Sequence, residues 1–396
     1  MNETHSGSDL LTPLVSKYFD IEKVIWGGRE QRFVVRYEGL LKGDSLKAHK
    51  ALSTALKSEK LTPHFLDEEE TQVIQLIPSS PEPKPSNPLV NLVLFLLTFL
   101  SMLIAGTLYS YQGAIPEDGG GLLSIIFGNL DLGLSFALSL LGILFAHEFG
   151  HYLAGRFHKT AVTLPYFLPF PFSPFGTLGA FIQLKEPPRN RRELLDIGIA
   201  GPLAGLVVAI PILLFGLSLS EVRGIPLSLP EGNVFEGNSI LYLAAKYITH
   251  GQLLPAPISY EGLSPVIYWL RYFFTGLPTP LGGVDVFLHP IAWAGWAGLL
   301  VTALNLIPAG QLDGGHLLYS LFGKNAVKVL PIIFLALAGL GFFWSGWWLW
   351  VFLIYVLGRS HAQPLDQITQ LDGNRRLLAL LGLLIFVLVF TPIPLS

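Results

Sequence analysis

The chain has 396 residues, 51% of them hydrophobic and only 13% charged, with a formal net charge of -3. An ordinary soluble domain carries about a quarter charged residues, so this composition and a mean hydropathy of +0.53 argue against a soluble enzyme and for a membrane protein; nothing in the charge suggests a nucleic-acid partner. Cysteine is absent, which excludes disulfides, thiolate zinc sites and cysteine nucleophiles and leaves His and carboxylate to hold any metal.

The polar N-terminus, MNETHSGSDLL, reads as neither a secretory signal nor an Arg-rich transit peptide. The expectation is a complete or already processed chain. Residues 1–77 are expected to form a small α+β domain near the lower size limit for independent folding. Ile21 to Trp26 and Arg32 to Tyr37 read as strands around the Gly27-Gly28 turn signal. Leu46, His49, Leu52 and Leu56 recur at helical spacing behind a candidate cap at Asp44 or Ser45. Val73 to Ile77 reads as a further strand. Residues 78–88, PSSPEPKPSNP, make a Pro-rich, extended linker.

From 89 to 396 the chain is predicted to be all-α and polytopic. A spanning helix needs about 20 apolar residues, and such runs lie near 89–110, 133–157, 194–219, 289–308, 326–341, 343–358 and 376–394. The fifth and sixth are short, so the count is about seven. No internal repeat or heptad pattern is present. Between the second and third runs, residues 161–184 are apolar, yet Pro165, Pro169, Pro171 and Pro174 forbid a regular helix. Irregular backbone at membrane depth survives only where protein or a water cavity satisfies it. A re-entrant hairpin is expected, with Gly176 to Leu184 partly extended.

Basic residues orient the spans. Arg156, Lys159, Lys185, Arg189, Arg191, Arg192, Lys324, Lys328, Arg359, Arg375 and Arg376 all fall on one face, assigned as cytoplasmic, and the N-terminal domain shares it. The loop from about 220 to 285 faces outward, with few basic residues and with Glu221, Glu231, Glu236 and Glu261.

The second run contains His147-Glu148-Phe149-Gly150-His151, an H-E-x-x-H pattern. Positions four apart share a helix face, with Cβ atoms about 5–6 Å apart, which lets two imidazoles reach one Zn²⁺ at about 2.0–2.1 Å. Glu148 then sits where it can take the proton of an activated water and return it to the leaving amine. Each charged group at a helix centre costs roughly 2.5–3.5 kcal/mol on insertion scales, so the cluster reads as functional rather than as a polar network joining helices. A catalytic zinc site usually has three protein ligands. Asp313, in the segment from Asn305 to His316 at the same face, is the candidate third, with Pro308 and Gly310 breaking the helix before it. Asn305 is a candidate hydrogen-bond donor to an oxyanion, or a helix-packing polar residue. His316 stays open as a fourth ligand.

These motifs resemble the site-2 protease family of intramembrane metalloproteases. The resemblance rests on HEFGH at 147–151, NLIPAGQLDGGH at 305–316, GTLGA at 176–180 and AGPLAG at 200–205, and covers about 133–325. It implies a transmembrane protease domain over 89–396, zinc bound by His147, His151 and Asp313, Glu148 as general base and acid, and Asn305 assisting the transition state. HPIAWAGWAG at 289–298 and the polar N-terminal domain look most like the cyanobacterial and plastid branch related to the ethylene-dependent gravitropism-deficient and yellow-green proteins. That implies a multi-pass protein of the plasma or thylakoid membrane with its site near the cytoplasmic or stromal side. No PDZ or cystathionine-synthase-type domain is recognisable, which leaves the N-terminal domain as the expected regulatory element.

The implied activity is hydrolysis of peptide bonds in or near transmembrane segments of a protein or peptide substrate within the lipid bilayer. The substrate helix must unwind, and an extended edge around Gly179 to Leu184 is a candidate for pairing with it. The glycines there permit close backbone approach, or serve packing alone. Two other classes stay open: a metal-ion transporter using the same ligands as a transit site, and a catalytically silent scaffold. A transporter needs a second site or polar path, and no further intramembrane carboxylate chain is evident. The intact ligand set and Glu148 weigh against the scaffold.

Overall fold

The protein is described by a computed structural model covering residues 10–28, 30–68, 71–81, 86–111, 113, 119–228, 235–357 and 363–395. The N-terminal residues 1–9, residues 82–85 of the linker, Glu231 and Arg359 lie outside the described residues.

The N-terminal part runs α1 (Leu11–Ser16), β1 (Phe19–Trp26), β2 (Val35–Leu41), α2 (Ser45–Ala55), β3 (Leu61–Asp67) and β4 (Gln72–Pro78). The strands form one antiparallel sheet of order β1-β2-β4-β3. Val35, Tyr37, Phe65, Ile74 and Leu76 bury one face against Leu52 and Leu56. Asp44 caps α2 by accepting from the Lys47 N–H at 2.9 Å, where the sequence puts it. The second strand begins later than expected, because the Gly27 N–H donates to Val34 at 2.9 Å and so places the start of strand pairing at Trp26 and Val35. β3 is not legible in the sequence: it opens Leu61-Thr62-Pro63, and proline is tolerated there only because the strand is at the sheet edge. His49 donates to the Pro63 carbonyl at 3.1 Å, and burial holds its imidazole below its usual range.

The β3 edge is covered by the segment before the last helix. The Phe65 N–H donates to Leu365 at 2.7 Å and the Gln367 N–H to Phe65 at 2.9 Å. Asp366 is fully buried. It accepts from Ser45 Oγ at 2.9 Å, from the N–H groups of Ile368 and Thr369 at 2.9 and 3.0 Å, and from Thr369 Oγ1. Its own N–H donates to Arg189 at 2.8 Å, and Lys324 Nζ donates to Asp67 at 2.5 Å. The sheet therefore sits on the loops that carry the basic residues.

The rest of the chain is mostly helical. First come α3 (Pro88–Ser110), α4 (Gly119–Gly128), α5 (Leu134–Phe157), the hairpin β5 (Tyr166–Pro169) and β6 (Thr177–Phe181), and α6 (Arg191–Ser218). A second group is β7 (Glu221–Gly224), α7 (Ile240–His250), α8 (Pro265–Thr275) and β8 (Val284–Phe287). It is followed by α9 (Pro290–Asn305), α10 (Asp313–Phe322), α11 (Leu330–Gly341), α12 (Gly346–Leu357) and α13 (Gly373–Val389).

Among the described residues, four helical stretches are long and apolar enough to cross a membrane: Pro88–Ser110, Leu130–Phe157, Arg191–Ser218 and Asp313–Gly341. The first three coincide with expected runs. The fourth differs from the expected 326–341, because α10 and α11 continue through a 3-10 turn at Gly323–Val329. The run expected at 289–308 stops at Asn305, three residues before Pro308, and α9 has only 16 residues.

The core is the packing of α5, α6 and α9. Phe136, Leu140, Leu144, Leu213, Trp296 and Leu299 are buried in it. A Cβ at Gly295 would overlap Leu213, and one at Gly298 would overlap Ile143, so the small residues of α9 set how closely it meets α6 and α5. At one end, Asp196 on α6 accepts from Arg375 Nη2 at 2.7 Å and lies 3.0 Å from His158 Nε2, joining α5, α6 and α13.

Asp366→Ala removes a buried acceptor serving four donors, each hydrogen bond to a carboxylate contributing about 1.5–3 kcal/mol. The expected outcome is faster hydrogen exchange in residues 61–67 and 363–369 with unchanged protection in α5 and α6. Equal exchange in both variants would mean that Asp366 does not hold the sheet in place.

Candidate metal centre

The H-E-x-x-H pattern lies on α5, and His147, Glu148 and His151 are all buried. The two histidines, four residues apart, turn their rings to the same side, with Nε2 atoms 3.3 Å apart. His151 Nδ1 is 2.7 Å from the Ile197 carbonyl on α6. A carbonyl only accepts, so Nδ1 carries the proton and Nε2 is left with its lone pair, the arrangement a metal ligand needs.

Asp313 enters from a distant stretch. After α9 the chain turns through 306–312, with Gly310 at φ +56°, a left-handed value that glycine adopts without strain. The turn folds back so tightly that a Cβ at Gly314 would overlap the Leu306 carbonyl, and one at Gly315 the Gly310 carbonyl. Asp313 is the first residue of α10, where the positive end of the helix dipole favours a carboxylate. Its Oδ2 is 3.4 Å from His147 Nε2 and 3.3 Å from His151 Nε2.

Three donor atoms thus form a nearly equilateral triangle with edges of 3.3–3.4 Å. A tetrahedron with vertices about 2.0–2.1 Å from its centre has edges of about 3.3–3.4 Å, so the donor set fits tetrahedral zinc in size as well as in chemistry. Among the described residues this is the group of His and carboxylate side chains able to hold a metal ion. His316, open in the sequence as a further ligand, is outside that group; it lies one turn beyond Asp313 and packs over Gly198.

Asn305, the last residue of α9, has its Nδ2 3.3 Å from His147 Nε2. β6 packs against α5, so the hairpin lies beside the helix that carries Glu148. β5 and β6 pair antiparallel from Tyr166↔Phe181 to Pro169↔Thr177. Gly176, at φ +72°, turns the hairpin where a side chain would strike the backbone of Ser101 and Met102 on α3.

One residue that holds the hairpin is missed in the sequence analysis. Asn91 on α3 donates from Nδ2 to the carbonyls of Leu164 and Pro165 at 3.0 and 2.8 Å, supplying the partners that the proline-rich backbone lacks. A lone amide in an apolar run was the available signal. α6 gives the imidazoles room. A Cβ at Gly201 would overlap His151 Nε2, and one at Gly205 would lie 3.2 Å from His147 Nδ1.

Apolar helices thus surround a donor set of two His and one carboxylate able to hold a metal ion, with a Glu beside it, in a membrane protein. The chain belongs to Peptidase family M50, whose profile matches residues 135–338. It is 28% identical over 318 residues to an Arabidopsis thaliana protein described as probable zinc metalloprotease EGY1, chloroplastic, covering 77% of this chain and 53% of that one. It is 30% identical over 285 residues to the Oryza sativa subsp. indica protein described as probable zinc metalloprotease EGY2, chloroplastic, covering 71% and 47%. The chain spans about half the length of the curated relatives it matches. No solved structure matches it.

Gly201→Ala drives a methyl group into the space of His151 Nε2. It is expected to lower zinc affinity about 10–100-fold, the range for disturbed ligand support, and calorimetric titration of the apo-protein checks this. Unchanged affinity would mean that the imidazole does not depend on the glycine face of α6.

Proposed function

We propose that the chain is an intramembrane zinc metalloprotease that cleaves peptide bonds in or near transmembrane segments of membrane-protein substrates. The triangle of His147 Nε2, His151 Nε2 and Asp313 Oδ2 beside the buried Glu148 carries this reading. These three side chains would hold the metal. When bound, zinc supplies electrophilic activation of a scissile carbonyl and of water.

The chain's own residues do the rest. The Glu148 carboxylate takes a proton from the attacking water and returns it to the leaving amide nitrogen. The Asn305 side-chain N–H groups donate to the oxygen that gains negative charge as the carbonyl is attacked. Burial of the site limits bulk water, which strengthens both interactions. A substrate helix must first give up its own hydrogen bonds. Among the described residues β6 is paired only with β5 in its sheet, and its other edge is suited to take the unwound strand by β-augmentation.

In this reading the chain divides into an N-terminal α+β domain at 1–77, a linker at 78–88 and the protease domain from 89. Seven segments cross the bilayer, with α9, α12 and α13 joining the four longer stretches, and the β5–β6 hairpin is re-entrant. Trp347, the second residue of α12, donates to the Pro392 carbonyl beyond α13 at 2.6 Å, which supports α11 and α12 crossing beside α13. The N-terminal sheet and the basic loops share the cytoplasmic or stromal face. The chloroplastic relatives favour a thylakoid over a plasma membrane.

The test uses purified full-length protein in liposomes with a transmembrane substrate and zinc measured by elemental analysis. Glu148→Gln is expected to keep wild-type zinc and to lose about 10²–10⁴-fold in cleavage; retained turnover would remove the general-base role. Asp313→Ala is expected to lower bound zinc, and an unchanged stoichiometry would exclude it from the ligand set. Asn305→Ala is expected to keep zinc and lower kcat about 10²–10³-fold, whereas an unaltered kcat would leave it a packing residue.

A further inference from the structure

The segment between β7 and β8 is built inside out for a surface that faces water. On α7 the exposed positions are Ile240, Ala244, Tyr247 and Ile248, spaced i, i+4, i+7 and i+8 along one face, with Ile248 73% exposed. The opposite face buries Tyr242 and Lys246 completely. There Tyr242 donates to Glu236 at 2.8 Å, and Lys246 Nζ lies 3.8 Å from Asp285 Oδ1 and 4.5 Å from the centre of the Tyr242 ring. α8 repeats the pattern, exposing Val266, Ile267, Leu270 and Phe274 while Tyr268 and Tyr272 turn inward. A helix on a water-facing surface puts its charges outward and its apolar stripe inward. α7 does the reverse, and α8 exposes an apolar stripe in which Arg271 is the one charge.

Each helix has 11 residues, about 16 Å long, too short to cross a hydrocarbon core of about 30 Å. Between them runs an apolar groove of about 650 Å³, with Leu243, Leu253, Trp269 and Phe273 in its walls. The groove lies toward the far end of α6 from the metal centre. From Ile197, which holds His151, to Ser218 at the helix end is about 30 Å at 1.5 Å per residue.

We propose that α7 and α8 lie in the bilayer leaflet at that end, with acyl chains filling the groove and covering both exposed stripes. The proposal rests on the membrane-spanning reading of the chain. Continuity argues for lipid. α7 packs against α6 and α13, whose exposed residues, such as Val207, Phe215, Leu380 and Leu384, are apolar, so the stripe extends the lipid-facing belt of the spans. Arg271, exposed on α8 beside Leu270, suits a phosphate headgroup, its stem lying along the apolar layer. Short amphipathic helices with aromatic residues bind in this way at the headgroup–acyl boundary. The device keeps the loop on the bilayer, where it shapes the entry of a substrate helix from that side.

The absence of cysteine makes the test direct. Single variants Ile248→Cys, Ile267→Cys, Glu261→Cys and Leu384→Cys are labelled with one fluorophore, and the full chain is reconstituted in phosphatidylcholine vesicles. Each is then quenched by brominated phosphatidylcholine and, separately, by aqueous iodide. Labels at 248 and 267 are expected to be quenched by lipid to within about twofold of the α13 label at 384 and to resist iodide, unlike the loop label at 261. Iodide quenching of 248 and 267 equal to that of 261 overturns the proposal. So does shielding from both quenchers, which would mean that protein, such as a second copy, covers the stripe. Lipid-inaccessible Leu384 would overturn the spanning reading itself, and the proposal with it.

Discussion

The close approach of α6 to α5 is the constraint on which the site depends. Two imidazoles project from one helix face, and a neighbouring helix with ordinary side chains would push them apart or away. α6 meets them with Gly201 and Gly205, and a Cβ at Gly150 on α5 would in turn strike the Ala200 carbonyl. Backbone-to-backbone contact brings the Ile197 carbonyl to His151 Nδ1 at 2.7 Å, which fixes that tautomer and aims its Nε2 toward His147 Nε2 and Asp313 Oδ2. The same approach leaves space for α10 to bring Asp313 in from the other side.

Much of this was legible in the sequence, for identifiable reasons. H-E-x-x-H is a local pattern, and helical geometry alone puts its histidines on one face. Pro308 and Gly310 forecast the break after α9, and the prolines of 161–184 forecast an irregular segment, found as the β5–β6 hairpin. The illegible parts are those set by tertiary contact. That Ile197 supplies a carbonyl, or that Asn91 holds the hairpin, depends on which helices become neighbours. β3 was hidden because its Pro63 and polar residues suit an edge strand only in the presence of β4 and the 363–369 segment. Helix ends are less legible: hydropathy starts the fifth run at 326, whereas the helical stretch starts at Asp313 and passes through a 3-10 turn, and it cannot tell α9's 16 residues from a longer span.

The two ends of the molecule are built differently. At one end, charges are paired and loops are tied down: Asp196 with Arg375 and His158, Asp366 with Ser45 and Thr369. The N-terminal sheet joins this end through β3, and Asp366 passes the contact to Arg189, two residues before α6 begins. A hydrogen-bonded connection therefore runs from the sheet to the helix that orients His151. At the other end, α7 and α8 turn Tyr242, Lys246, Tyr268 and Tyr272 inward and apolar stripes outward. The candidate metal centre lies between them, nearer the paired charges, where a carboxylate beside two imidazole lone pairs in an apolar core is suited to a cation.

The most direct test of that convergence is zinc K-edge X-ray absorption on the purified, zinc-loaded chain. The account predicts a shell of light-atom ligands at about 2.0–2.1 Å with outer-shell scattering from two imidazoles. A spectrum carrying three imidazoles, or none, would contradict it, because the ion would then be held by side chains other than His147, His151 and Asp313.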